Sequence, residues 1–265
     1  MKRKAWISLL LLLPAPSIGV LFGMILLPGT PAGQGVFIFS KLWILLLPAL
    51  WFCLVETGRM PRGKTAAGGF RAGVLSGLAI SAAVVLAWLL LGRRLIDADL
   101  VRDMAAGIGL GRRAVYAAAA LYWIFINSVL EEYVWRWFVV RQCAKLMGPA
   151  AAIVVSALGF TLHHILAMQV YFSALVTAAG ALCILFAGML WSWMFLRYRT
   201  IWPGWLSHAL VDVAVFGLGY ALIFGCDGPD FRLRSRTPDP APQEMTERMA
   251  SSAGTSTGCT YFWSR

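Results

Sequence analysis

Apolar residues occur along the chain in long runs, and polar residues fall mainly between these runs. Each run approaches the length that a helix needs to cross a hydrocarbon core, which is about 20 residues. The pattern predicts seven spanning helices, at about 6–28, 36–55, 74–92, 114–146, 150–168, 172–197 and 203–224. A membrane β-barrel would instead show alternating segments of about ten residues. The predicted fold class is therefore all-α: a polytopic transmembrane helix bundle of about seven spanning helices.

The composition supports this class and suggests where the membrane domain ends. Hydrophobic residues make up 60% of the 265 residues and charged residues only 13%, whereas a soluble domain carries roughly 25% charged residues. We predict one transmembrane domain over residues 1–225. Residues 226–265 are rich in Pro, Ser, Thr, Gly and mixed charge, a composition that cannot bury a core. They predict a polar, disordered C-terminal tail.

The net charge of +11 does not indicate nucleic-acid binding, because the basic residues lie at the ends of predicted helices and in loops. There they orient the protein and contact lipid head groups, so the bilayer is the expected partner. The positive-inside rule favours a cytosolic N-terminus in the plasma (inner) membrane. The basic residues on the cytosolic side would then be Arg59, Arg62, Lys64, Arg71, Arg136, Arg141, Lys145, Arg197 and Arg199.

The pair Glu131-Glu132 lies inside the fourth predicted span, followed by Arg136. Carboxylates at membrane depth are costly and are typically kept for a function. Glu132 and Arg136 are four residues apart and share a helix face, which favours an ion pair, while Glu131 points about 100° away. A buried glutamate is suited to act as a general base on water. The alternative is that these charges mark a cytosolic helix end.

The three histidines of the chain also lie in apolar segments. His164 follows Phe160 by four residues on the fifth span, and His208 precedes Asp212 by four residues on the seventh. Asp212 can fix the tautomer and orientation of His208, or both can bind a metal. A membrane histidine is also often only a hydrogen-bonded packing residue. Together, these residues predict a proton-transfer or hydrolytic site between the fourth, fifth and seventh spans.

The order EExxxR, FxxxH and HxxxD on successive helices resembles the CAAX-protease and bacteriocin-processing (Abi, CPBP) family of intramembrane proteases. The matching residues are Glu131, Glu132 and Arg136, then Phe160 and His164, then His208 and Asp212. The resemblance covers about residues 114–215. It implies a membrane endopeptidase that hydrolyses a peptide bond near the C-terminus of a membrane-associated protein or peptide.

The resemblance also implies a role for each matching residue. Glu131 and His164 would activate the water, and His208 with Asp212 would bind the carbonyl oxygen in the transition state. Glu132 with Arg136 would position Glu131. The sequence lacks the HExxH motif of zinc peptidases, so we favour a glutamic-type mechanism without a cofactor. If zinc is present, its expected ligands are His164, His208 and Glu131.

Two further readings remain open at this stage. A non-catalytic immunity or scaffold protein of the same family would bind rather than cleave. A proton-coupled transporter would also hold intramembrane Glu and His, but it typically shows broken helices and internal repeats. Trp135 is expected either to line a substrate groove or to belong to an interfacial aromatic belt. Asn127, one turn before Glu131, is expected to bond the site or to join helices.

Overall fold

The computed structural model describes residues 2–56 and 68–225, and all regular structure in these ranges is helical. Seven helices are long and apolar enough to span a membrane. In chain order the helices are α1 (Lys2–Leu26), α2 (Pro31–Glu56), α3 (Gly69–Leu95), the short α4 (Ala98–Gly107), α5 (Arg113–Ala144), α6 (Pro149–Met168), α7 (Ala174–Tyr198) and α8 (Trp202–Phe224). The predicted all-α bundle of seven spanning helices is confirmed.

Some expectations concern parts of the chain that the structure does not describe. Arg59, Arg62 and Lys64 of the predicted cytosolic loop lie outside the described residues, and so does the predicted tail at 226–265. The boundary of the membrane domain at residue 225 and the cytosolic location of the N-terminus stay predictions.

Proline and a polar cap begin several of the helices. Pro31 and Pro149 each occupy the first turn of a helix, where the missing N–H costs nothing because that donor has no partner within the helix. At the start of α2, the Thr30 hydroxyl accepts a hydrogen bond from the Gly33 N–H at 3.1 Å. These local signals explain why α2 and α6 begin where they do.

The connection between α3 and α5 contains a helix that the sequence analysis treated as loop. The Asp97 carboxylate accepts hydrogen bonds from the N–H groups of Asp99 and Leu100 and so caps α4. Arg102 of α4 donates from Nε to the Leu222 carbonyl of α8 at 3.1 Å. At ten residues α4 is too short to span a bilayer, which is why the search for long apolar runs missed it.

A row of glycines on α3 lets the backbone of α8 pack directly against the backbone of α3. We call Gly69, Gly73 and Gly77 the glycine seam. A Cβ added at Gly73 would lie 2.5 Å from the Pro203 carbonyl oxygen, and one added at Gly77 would lie 2.9 Å from Leu210 Cδ1. Small residues four apart are the common way for membrane helices to pack closely. The seam therefore fixes α8, the helix that carries His208.

The helix α5 is not a regular α-helix around the two glutamates. The α-helical stretch Ser128–Glu132 lies between two π-helical segments, Tyr122–Asn127 and Tyr133–Val140. Wide turns of this kind often occur at functional sites. In the second segment the Trp135 carbonyl accepts a hydrogen bond from the Ser156 hydroxyl of α6 at 2.9 Å. A neighbouring helix thus provides a partner for this backbone group away from water.

Candidate active site

The structure brings the six predicted site residues to one place. Glu131, Glu132 and Arg136 come from α5, His164 comes from α6, and His208 and Asp212 come from α8. The only sequence-local link among these helices is the short turn between α5 and α6, so the site depends on the packing of the bundle.

His208 lies between three carboxylates. Its Nδ1 is 3.2 Å from Glu132 Oε1, and its Nε2 is 3.7 Å from Glu131 Oε2 and 3.8 Å from Asp212 Oδ2. From spacing along one helix, the sequence analysis paired His208 with Asp212, and it grouped His208 with Glu131 only as an expected zinc ligand. The additional contacts with both glutamates arise from tertiary packing between α5 and α8, and sequence spacing cannot reveal them.

Glu131 uses its two oxygens differently. Asn127 donates from Nδ2 to Glu131 Oε1 at 2.9 Å, while Oε2 faces His208. Of the two expectations for Asn127, the structure shows the hydrogen bond to the site rather than a bond between helices. One oxygen of Glu131 is held in place, and the other remains available to a reactant.

Glu132 and Arg136 form a fully buried ion pair. Both side chains are 0% exposed, and Arg136 Nε lies 3.5 Å from Glu132 Oε1. The guanidinium carbon of Arg136 lies 4.5 Å from the ring centroid of Phe160 and 5.1 Å from that of Trp191. This cation is therefore stabilised by aromatic faces as well as by charge. Glu132 and Arg136 thus lie inside the bundle, within α5 rather than at its end, whereas the alternative had them mark a cytosolic helix end.

The last helix makes room for Glu132 through a glycine. A Cβ added at Gly204 would lie 2.8 Å from Glu132 Oε2. Gly204 stands four residues before His208 on α8. Because no side chain intervenes, the Glu132 carboxylate can approach α8 closely enough to contact the imidazole.

The backbone sets the tautomer of His164. Its Nδ1 lies 2.8 Å from the Phe160 carbonyl oxygen, and a carbonyl can only accept, so Nδ1 carries a proton and donates. In the neutral ring, Nε2 then holds a lone pair. The Phe160 and His164 ring centroids are 4.6 Å apart, which restricts the imidazole further.

His163 joins the site although the sequence analysis gave it no role. Its ring stacks on Trp135, with centroids 5.5 Å apart and an interplanar angle of 4°. Trp135 is 1% exposed, so an interfacial aromatic belt does not describe it. One ligand atom from each of Glu131, His163 and His164 lies within 4.8 Å of the others. The adjacent pair of histidines in the sequence was the signal that could have identified His163.

This cluster differs from the expected zinc ligands, because it contains His163 and not His208. Among the described residues it is the group of three that could hold an ion. Tetrahedral zinc ligands at about 2.0 Å from the metal lie about 3.3 Å from one another, so a separation near the 4.8 Å limit would have to close on binding. The donor types fit zinc, and ligand atoms that lie at this limit would have to move inward to bind it.

Trp191 of α7 packs against the ring of His208. The sequence analysis did not identify this residue. The two rings stack with centroids 4.1 Å apart and an interplanar angle of 14°. Trp191 donates from Nε1 to the Ser207 hydroxyl at 3.0 Å, and Ser76 of α3 lies 3.0 Å from the same oxygen. This chain of contacts holds the imidazole plane between α3, α7 and α8.

A cavity of about 280 Å³ opens beside Glu131. Its walls come from α1, α2, α5 and α6 and are mostly apolar. Glu131, Asn127 and His163 line it, and so does Lys41 of α2. The cavity approaches the lower end of ligand-site volumes, about 300–1,000 Å³. It can hold a short peptide segment next to the carboxylate of Glu131.

Comparison with known proteins shows that part of the chain matches a protein-family model. Residues 113–214 match the family model described as type II CAAX prenyl endopeptidase Rce1-like. The match begins with the first residue of α5 and ends two residues after Asp212, so it contains all six predicted site residues. The resemblance based on the three motifs is thereby confirmed. No curated protein and no solved structure matches the chain.

Proposed function

Since residues 113–214 match the Rce1-like family of type II CAAX prenyl endopeptidases, we propose that this multi-pass membrane protein is a glutamic-type intramembrane endopeptidase. It hydrolyses a peptide bond near the C-terminus of a membrane-associated protein or peptide. The observation that carries the proposal is the placement of the Glu131 carboxylate beside both His208 and a peptide-sized cavity.

Glu131 and His164 activate the water. Two acceptors that share one water at hydrogen-bond distance lie about 4.6 Å apart, which is compatible with the 4.8 Å limit on the ligand atoms of Glu131 and His164. The water donates one hydrogen to Glu131 Oε2 and the other to His164 Nε2. Its lone pair then points at the scissile carbonyl carbon, and Glu131 takes a proton as the C–O bond forms.

His208 stabilises the oxyanion that this attack produces. With a proton on each nitrogen, His208 donates through Nδ1 to Glu132 and offers Nε2–H to the carbonyl oxygen. Glu132 holds the ring at Nδ1, and Asp212, whose Oδ2 lies 3.8 Å from Nε2, orients it from the Nε2 side. A preorganised donor of this kind contributes about 3–4 kcal/mol to transition-state stabilisation. Glu131 then passes the proton to the departing nitrogen as the C–N bond breaks, so that one peptide bond and one water become a carboxylic acid and an amine.

Glu132 and Arg136 position the reacting groups rather than contacting substrate. Glu132 is shared between Arg136 on its own helix and His208 on α8. The pair therefore sets the distance between the general base of α5 and the oxyanion donor of α8. Glu132 and Arg136 are fully buried, so water does not weaken their electrostatic interactions.

A bound zinc ion would supply Lewis-acid polarisation of the carbonyl, with Glu131, His163 and His164 as its ligands. We favour the form without a metal, because Glu131 is already bonded by Asn127 and faces His208. The substrates, the bilayer as partner, the inner-membrane location and the cytosolic N-terminus belong to the same proposal.

The test is cleavage of lipid-anchored peptides by the purified full-length protein in liposomes. We expect wild type to cleave and both Glu131→Gln and His164→Ala to lose activity by at least about a hundredfold, the usual contribution of general-base catalysis. Activity that survives both substitutions would overturn the mechanism, and a scaffold or transporter role would follow if wild type never cleaves. Loss of activity with a chelator and recovery with zinc would assign the metal-dependent form instead.

A further inference from the structure

A groove runs between α1 and α6, and it is separate from the cavity beside Glu131. It is lined from within residues 6–14 of α1 and 155–165 of α6, together with Met147 in the turn before α6. None of these residues lines the cavity beside Glu131. The volume of the groove is about 630 Å³, which lies within the range of ligand sites, about 300–1,000 Å³. The groove is therefore large enough to hold a ligand of its own.

The lining of the groove suits a hydrocarbon chain. Leu10 is 68% exposed and Leu162 is 51% exposed, so both helices present apolar side chains outward. Thr161 is the residue of the lining that carries a hydroxyl, and this hydroxyl donates to the Ala157 carbonyl at 2.8 Å. Residues 155–165 cover about 15 Å of helix, about half of a hydrocarbon core of about 30 Å. This length matches an acyl chain that occupies one leaflet.

Two exposed cations lie at one end of this groove. Lys2 lies one turn before Trp6, so the two residues share a face of α1, and Arg3 follows Lys2. Within residues 2–56 and 68–225, no carboxylate lies at ion-pair distance from either cation. The segment Lys2–Leu12 contacts Arg141–Ala144, just before α6 begins. Both helices of the groove therefore start at the end where these cations lie.

The neighbouring charged residues at this end are already used in packing the helices. Glu56, at the end of α2, accepts a hydrogen bond from Lys145 Nζ of the α5–α6 turn at 2.6 Å. Lys4 donates from Nζ to the Val55 carbonyl at 2.8 Å and so joins α1 to α2. Glu56 thus does not neutralise the first two basic residues of α1, which stay available to an anion from outside the bundle.

We propose that the groove between α1 and α6 binds an anionic phospholipid, with an acyl chain along the groove and the headgroup at Lys2 and Arg3. A zwitterionic headgroup would bring a positive charge to the same two cations, whereas a net anion complements them. Basic sites between membrane helices bind anionic headgroups in this way. A Cβ added at Gly159 in the groove would lie 2.8 Å from Trp135 Cζ3, so the bound lipid lies next to the tryptophan that stacks on His163. The proposal does not depend on the peptidase activity.

The test uses the full-length protein in nanodiscs of phosphatidylcholine that contain phosphatidylglycerol with a photoreactive group in its acyl chain. Mass spectrometry maps the crosslinks, and unlabelled phosphatidylglycerol or phosphatidylcholine competes for the site. We expect crosslinks within 6–14 and 155–165 that phosphatidylglycerol displaces at lower concentrations than phosphatidylcholine does. Lys2→Gln/Arg3→Gln should reduce this preference by about tenfold to thirtyfold, the range for two basic residues near anionic headgroups.

Arg93→Gln/Arg94→Gln is the matched control, because it removes two adjacent exposed cations at the end of α3, which does not line the groove. It should leave the preference unchanged. Leu158→Trp should block crosslinking by filling the groove, whereas Leu182→Trp, at a similarly exposed position of α7, should not.

Three results would overturn the proposal. The first is equal displacement by the two phospholipids, which would show that the groove binds hydrocarbon without reading charge. The second is an anionic preference that persists in Lys2→Gln/Arg3→Gln. The third is displacement by an uncharged lipid-anchored peptide at lower concentrations than phosphatidylglycerol, which would assign the groove to the anchor of a substrate.

Discussion

His208 Nδ1 lies 3.2 Å from Glu132 Oε1, the same oxygen that lies 3.5 Å from Arg136 Nε. Glu132 is therefore not only the partner of an arginine on its own helix. It joins α5 to α8, and any change at Glu132 must act on the imidazole as well as on the buried guanidinium.

Glu132→Gln should destabilise the protein and inactivate it. The substitution leaves the buried Arg136 without a counter-ion, a loss of about 3–5 kcal/mol. Thermal unfolding in detergent measures this effect. The double variant Glu132→Gln/Arg136→Met should recover much of the stability but little activity, because His208 still lacks its carboxylate. A double variant as active as wild type would contradict this role for Glu132.

Gly204→Ala should lower activity with a small effect on folding. The new Cβ would lie 2.8 Å from Glu132 Oε2, so the carboxylate must move away from His208. Displacement of about 1 Å in a group that positions the reacting residues can cost about a hundredfold in rate. The control is Gly217→Ala on the same helix, where an added Cβ meets nothing within 4 Å. Equal kcat/KM in the two variants would show that this close approach is unimportant.

Substitution by phenylalanine should affect activity differently at His163 and at His164. His163→Phe keeps the ring that stacks on Trp135 but cannot bind a metal, and we expect it to retain most activity. His164→Phe removes the nitrogen that accepts from water and should cost about 10²–10⁴-fold in kcat/KM. Inactivation by both substitutions, together with sensitivity to a chelator, would favour the three-residue metal cluster instead.

Trp191→Leu should impair His208 more than Trp191→Phe does. The leucine variant loses the stacked ring, and aromatic pairs contribute about 0.5–1.5 kcal/mol beyond their buried area. The phenylalanine variant keeps a ring against His208 and loses only the hydrogen bond to Ser207. Cleavage kinetics should therefore rank wild type above Trp191→Phe and Trp191→Phe above Trp191→Leu. A reversed order would show that the hydrogen bond matters more than the stacking.

Gly73→Val should destabilise the bundle by separating α3 from α8. An added Cβ would lie 2.5 Å from the Pro203 carbonyl oxygen, and overpacking of this kind costs about 1–3 kcal/mol. Gly35→Val on α2 puts the same side chain where nothing lies within 4 Å. The difference between the two melting temperatures in detergent tests the seam, and a difference near zero would count against it.

The spanning helices could be predicted from the sequence because their signal is local. A run of about 20 apolar residues has few alternatives to a membrane helix, so seven spans were found with approximate ends. The six residues that the structure brings together could also be selected from the sequence, since Glu131, His164 and His208 stand out as titratable groups in apolar segments. Their chemistry is unusual enough to be recognised before their geometry is known.

Other parts of the site depend on features that no local pattern contains. The wide turns at Tyr133–Val140 break the 3.6-residue repeat on which sequence arguments about helix faces rely. Trp191 is one of twelve tryptophans, and only the packing of α7 against α8 distinguishes it. Lys41 of α2 lines the same cavity as Glu131 of α5, and this proximity between two helices has no counterpart in the spacing of residues along the chain.

The glycine seam has a consequence for how a substrate reaches Glu131. Backbone contact between α3 and α8 leaves no gap for a polypeptide on that side of the bundle. The cavity is instead bounded by α1, α2, α5 and α6. We therefore expect a lipid-anchored chain to enter sideways from the bilayer beside α2, passing Tyr122 and Trp123 of α5. In this view the close contact between α3 and α8 closes one side of the bundle, and the proposed substrate enters from the side where the cavity lies.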